Sequence, residues 1–327
     1  MRLRSPIRDD IRYGFAVGRI RVLEARLLSR SAFERLIDAP DLAEQRRVLS
    51  ETAFGRYLEG ATTAEDVERA LDASLGDLYE EFVESSDLPE GVVRFFRLPH
   101  DYQNIRAALK ARALDAPEPT PSALGAAAPA ESAERAGDAY DDATGPVADD
   151  EDTSAVLGEI ESGVDRGLFA QIEDAARRSG VRFLRDLVRL RIDLANIRVL
   201  LRANRRRIGG PAVSLALVPG GSPRLVRLAA DAARLSVEDL ADAIVATRAV
   251  PDLAGHDLLD LEHYDLVAST IDAQRMAEAR RIPNGPEPVV AYVLAREAEV
   301  AALRIVLIGR LAGVDREIVR ERLRGVA

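Results

Sequence analysis

Three stretches of this chain align with one another without gaps, and that repetition constrains the fold more than any other feature of its 327 residues. Asp101-Tyr-Gln-Asn104-Ile105-Arg106-Ala-Ala-Leu109 matches Asp193-Leu-Ala-Asn196-Ile197-Arg198-Val-Leu-Leu201. Both match Glu299-Val-Ala-Ala302-Leu303-Arg304-Ile-Val-Leu307. The shared pattern is acid-x-x-Asn-aliphatic-Arg-x-x-Leu, with Ala302 where the other copies carry Asn. Upstream, apolar residues recur at the same three offsets: Val92, Phe95 and Phe96, then Leu184, Leu187 and Val188, then Val290, Val293 and Leu294. Those offsets fall on one face of a helix. A weaker match further upstream, Pro40-Asp-Leu-Ala-Glu, Pro129-Ala-Glu-Ser-Ala-Glu and Leu235-Ser-Val-Glu-Asp-Leu, marks a helix start in each copy. The expectation is three similar helical modules, each ending in a long helix that carries the motif.

The modules are placed at residues 1–114, 154–212 and 213–327. Between the first two lies 115–153, which holds eleven Asp or Glu against the single Arg135. Its run Pro117-Glu-Pro-Thr-Pro121 and its alanines suit a largely disordered linker. The competing reading is a degraded front half of the middle module, with a short helix over 130–140. This segment accounts for the whole net charge of −10, so the rest of the chain is neutral and the acidic total is no argument for a basic partner.

Helical signals dominate elsewhere. Val67, Leu71, Leu75, Leu78 and Phe82 follow a helical period, with Thr63 and Asp66 as a helix start before them, and Ser236 with Asp239 marks another before Leu240. Strand-like alternation is nearly absent. The run Val213 to Val218, bracketed by Pro211 and Pro219, reads as strand or, better, as a connector. The fold class is all-α.

Several chemistries are excluded. With no Cys there is no thiol nucleophile, no Cys-ligated zinc and no disulfide. A Walker-type phosphate loop needs a lysine after glycine, and the one lysine, Lys110, stands between Leu109 and Ala111. No Gly-x-Gly-x-x-Gly, Gly-x-Ser-x-Gly or His-Glu-x-x-His occurs. Gly209-Gly210-Pro211 and Gly220-Gly221-Ser222-Pro223 read as turns between helices. No apolar run approaches the ~20 residues of a spanning helix, and Met1 to Arg12 lacks a signal-peptide pattern, so the chain reads as soluble and intracellular.

Two clusters carry alternatives. His256, Asp260 and His263 stand at i, i+4 and i+7, so a helix through them offers one face to a metal, against the commoner reading of a solvated helix start. Arg198, Arg202, Arg205, Arg206 and Arg207 form a basic run at a helix end, which reads first as C-terminal capping, next as contact with an acidic protein surface or lipid headgroups, and last as a nucleic-acid site, since no aromatic interleaves with it. The motif is the one repeated polar feature. Its acid and Asn suit inter-module hydrogen bonds or a socket for another protein, and its Arg suits a neighbouring module.

The ordered set Tyr13-Gly-Phe-Ala-Val-Gly-Arg19, Phe96-Arg-Leu-Pro-His-Asp101-Tyr102-Gln-Asn104, Ile192-Asp-Leu-Ala-Asn196 and Tyr292-Val-Leu-Ala-Arg-Glu-Ala-Glu299 resembles the C subunits of archaeal and bacterial V/A-type ATP synthases, relatives of the d subunit of eukaryotic vacuolar ATPases. The resemblance implies a non-catalytic, all-helical, funnel-shaped protein of three similar domains in pseudo-threefold arrangement, without a cofactor. It implies a place on the proteolipid ring at the cytoplasmic face of the plasma membrane. There the protein would receive the central axle, coupling ion translocation to ATP synthesis or hydrolysis. Asp101, Asn104, Arg106, Asp193, Asn196, Arg198, Arg202, Glu299 and Arg304 are then the candidates for partner binding or inter-module bracing. The alternatives are a three-module scaffold in an unrelated complex and a hydrolase with the His256/Asp260/His263 metal site.

Overall fold

The computed structural model describes residues 11–117, 120–126 and 153–324. Every regular element among them is helical, in agreement with the all-α expectation. The expected helix over 130–140, the weak match at Pro129 and most of the acidic segment lie outside the described residues. The chain divides into two compact units, one formed by Met1–Leu88 with Ser269–Ala327 and the other by Pro89–Ala268.

In the first unit, α1 (Gly14–Glu24), α2 (Arg30–Asp38), α3 (Leu42–Leu49), α4 (Gly55–Leu58) and α5 (Ala64–Leu78) follow in order. The expected start at Thr63 forms a complete capping box with Asp66, so two orphan helix donors are satisfied reciprocally. A π-helical turn, Tyr79–Glu84, extends α5 and sets Phe82 edge-on to Tyr292, with ring centroids 5.4 Å apart. In the second unit come α6 (Glu90–Ala113), α7 (Thr153–Arg178), α8 (Arg182–Arg206), α9 (Gly210–Ala216), α10 (Pro223–Leu228) and α11 (Val237–Thr247). Helix α12 (Leu261–Arg280) contains the unit boundary. The chain then runs into α13 (Pro286–Leu311) and α14 (Arg316–Arg324) of the first unit.

Helix α13 is the spine of the first unit. Val289 to Leu294 are six consecutive buried residues, which places apolar side chains on every side of the helix, and a helix apolar all round has to be surrounded. Its neighbours are α1, α2, α3, α5, the π-turn and α14. The second unit is built on the long pair α6 and α7, with α8 packed against α7 and α11. Ile105, Leu109 and Val164 form an apolar cluster between α6 and α7.

The reading of Val213 to Val218 needs a correction. The stretch from Gly210 to Ala216 is a short helix, because Pro211 sits in its first turn, where a missing N–H costs nothing and the fixed φ is helical. Pro211 starts this element rather than bracketing a strand or connector.

Two substitutions test the packing. A Cβ at Gly91 would lie 2.5 Å from the Ser179 amide nitrogen and 2.8 Å from its Cα, both unable to yield. Gly91→Ala is therefore expected to lower unfolding free energy by about 2–3 kcal/mol in urea titration. Arg248 ends α11 in the left-handed region at φ 54° and is exposed, so Arg248→Gly is expected to raise stability by about 0.5–1 kcal/mol in the same assay.

Candidate functional site

The motif acids and asparagines lie mid-helix in α6, α8 and α13, and all five are buried: Asp101, Asn104, Asp193, Asn196 and Glu299. Burying such groups without partners costs several kcal/mol each, so their hydrogen bonds decide what the motif is for. Asn196 donates from Nδ2 to the Val218 carbonyl at 2.9 Å, and its Oδ1 accepts the Val218 N–H at 2.7 Å. Asn104 does the same with Ser122, at 3.0 and 2.8 Å. In each case a side-chain amide pairs with one residue's N–H and C=O, as a neighbouring strand would. Asp193 accepts the Ser222 N–H at 2.5 Å. In the first copy Asp101 lies against Gly125, so closely that a Cβ there would overlap its Oδ1.

The third copy lacks the Asn and uses a longer acid. One oxygen of Glu299 accepts the Leu28 N–H and the other accepts from Arg296, three residues earlier. The Arg296 guanidinium also covers the Phe54 ring, 4.3 Å from its centroid. Both members of this ion pair are buried. Burial raises the carboxyl pKa of Glu299 and of Asp193 above the ordinary value, against the opposing pull of their partners.

The motif arginines each reach an acid on another helix. Arg106 pairs with Asp165 of α7, Arg198 with Asp265 of α12 at 2.6 Å, and Arg304 with Glu68 and Asp72 of α5 at 2.5 and 2.9 Å. All are partly exposed, so each contributes about 1 kcal/mol or less. Further along the last helices, Arg310 donates to the Pro40 carbonyl and Arg320 pairs with Glu34 and Asp38 at 3.0 and 2.6 Å. Arg202 is exposed on α8. Of the basic run, Arg205 donates to the Leu259 carbonyl, and Arg207 to the Ala233 and Leu235 carbonyls at 3.0 and 2.9 Å, all in loops between helices.

The proposed metal face does not form. Helix α12 begins at Leu261, so His256 precedes it and the i, i+4, i+7 spacing describes no helical face. Asp260 is occupied at the helix start, accepting the Glu262 and His263 N–H groups at 3.1 and 3.4 Å. Among the described residues no group of three His, Asp or Glu is arranged to hold a metal ion. No helix among them is long and apolar enough to cross a membrane.

Sequence reasoning missed Asn204, which is fully buried on α8 and donates to the Ala232 and Leu235 carbonyls at 2.6 and 3.0 Å. It also missed Arg296 and the Tyr79 hydroxyl, which donates to Glu297 within the first unit. The one available signal was their place at buried positions on or beside the motif helices.

A family model described as ATP synthase (C/AC39) subunit matches residues 16–322, a span that includes all three motif helices. The chain belongs to the ATP synthase (C/AC39) subunit family. The C subunit of the A-type ATP synthase of Thermococcus onnurineus (strain NA1) is 28% identical, in a match that covers 94% of this chain and 89% of the relative's own length. Its counterparts in Thermococcus gammatolerans and Desulfurococcus sp. (strain SY) are each 27% identical, covering 91% and 94% of this chain and 86% and 90% of their own lengths. The family resemblance stated from the motif residues is thereby established.

Glu299→Ala leaves Arg296 buried without its carboxylate and the Leu28 N–H without its acceptor, and is expected to cost about 3–5 kcal/mol in urea titration. Because folding raises the pKa of Glu299, the folded chain holds the proton more tightly there than the unfolded one. That contribution is complete below the ordinary value of 4.5 and is lost as pH rises through the raised pKa. In the Glu299→Gln variant, stability should therefore fall less between pH 4.5 and neutrality than in the parent chain; an unchanged or steeper fall contradicts the assignment.

Proposed function

We propose that this chain is a non-catalytic central-stalk subunit of an A/V-type ATP synthase. In this reading it stands on the proteolipid ring at the cytoplasmic face of the membrane. It holds the central axle, so that ion translocation and ATP synthesis or hydrolysis stay coupled. The observation that carries the reading is the family match over residues 16–322, supported by relatives named as A-type ATP synthase C subunits. The three helical modules, 1–114, 154–212 and 213–327, in a pseudo-threefold funnel, belong to the same proposal, as does 115–153 as a linker.

The motif residues are assigned to bracing rather than to partner contact. Asp101, Asn104, Asp193, Asn196 and Glu299 are buried, and the last four bond to this chain's own backbone, Glu299 also to Arg296, so these side chains are taken up inside the chain rather than offered to an axle or a ring. A connector under torque gains from this, because close-packed and hydrogen-bonded joints deform little. Partner contact then falls to exposed apolar residues such as Phe15, Val22 and Leu215, which are 79%, 58% and 67% exposed.

The test is to tag the chain in its own host, solubilise membranes gently and identify what co-purifies by mass spectrometry. Proteolipid, axle and catalytic subunits should be recovered with one copy of this chain per complex. Recovery of none of them, under conditions that keep the ATPase intact, would overturn the assignment in favour of a helical scaffold elsewhere.

A further inference from the structure

The loops held by the first two motif copies share no sequence pattern, yet they are held in the same register. Asn104 pairs with Ser122 and Asn196 with Val218, and three residues after each stands a glycine packed against the motif acid, Gly125 against Asp101 and Gly221 against Asp193. A Cβ on Gly221 would lie 2.7 Å from Asp193 Oδ1, 3.0 Å from Asn196 Nδ2 and 3.0 Å from Ile192 Cγ2, so the pair closes only on a bare backbone. What the second loop does next is defined: Ser222, whose N–H Asp193 accepts, is the N-cap of α10. The third copy repeats that arrangement at the other end of the sequence. Leu28, whose N–H Glu299 accepts from 271 residues away, immediately precedes Ser29, the N-cap of α2.

We infer that the motif is a backbone clasp: its acid, with Asn and a loop glycine where present, fixes a loop remote in sequence, which in the second and third copies leads straight into a helix, and the third clasp fastens the last long helix to the segment before α2. The inference does not depend on the partners proposed above. It assigns Gly125, Gly221 and Leu28 to the same device as the motif residues, and it accounts for the departures in copy three. With Ala302 in place of Asn there is no two-armed pair, and the extra methylene of Glu over Asp spans to a single N–H. The longer carboxylate is steadied by Arg296.

Residue-resolved hydrogen exchange on the full chain tests the clasp. The amides of Ser122, Val218, Ser222 and Leu28 lie outside helices and donate to side chains alone, so ordinary loop amides in their places would exchange unprotected. In the parent chain they should exchange at least about a hundredfold more slowly than unprotected amides; free exchange at these four positions overturns the inference without any variant. Asn196→Ala should accelerate Val218 at least about tenfold and leave Ser122 and Leu28 unchanged. Gly221→Ala should accelerate Val218 and Ser222, and Glu299→Ala should accelerate Leu28 alone. Gly18→Ala, whose Cβ meets nothing within 4 Å, should change none of them. Equal acceleration of all four amides in any single folded variant, or no change in Gly221→Ala, would contradict three separate clasps.

Discussion

Asn196 exchanges two hydrogen bonds with the backbone of Val218 out of reach of water, and this carboxamide-to-backbone pairing is the interaction on which the surrounding architecture depends. A buried peptide group needs partners as strongly as a buried side chain does. A loop between helices has no ladder to supply them. The motif helix supplies them instead, from side chains that are themselves costly to bury alone, so each satisfies the other. Neither half is stable without its partner, which makes the joint specific as well as strong.

Around these joints the electrostatics divide by depth. The buried pair Arg296–Glu299 is locked by a ring face on one side and a backbone N–H on the other. Arg304, Arg310 and Arg320 tie the last two helices to α5, to Pro40 and to α2 with partly exposed contacts that salt weakens. The first kind fixes geometry. The second adds many small contributions along the spine helix, whose apolar surface already holds the first unit together.

Much of this was legible in the sequence, and what was not has physical reasons. The repeat was visible because acid and aliphatic residues keep fixed faces on all three helices, with Asn beside them on two. The helix starts at Thr63 and Ser236 were visible because capping uses few residue types at fixed spacing. The partners of the motif were not visible, since Asn104 and Asn196 bind backbone atoms 18 and 22 residues away, and backbone carries no sequence signature. Only the glycines 125 and 221 hint at them, and glycines mark turns far more often than close approaches. The histidine face failed for a local reason: Asp260 caps a helix that the spacing argument had already begun at His256.

Membership of the ATP synthase (C/AC39) subunit family and the internal use of the motif fit together in one account, in which the motif holds this chain's own loops in place. Burial of the motif leaves partners to be met by other surfaces. The most direct test is an electron cryomicroscopy map of the assembled complex containing this chain, at a resolution that shows side chains. The account predicts Asp193 and Asn196 still bonded to the backbone at 218–222, Glu299 to Leu28, and every partner contact elsewhere. A partner side chain bonded to the motif acids or asparagines would contradict it.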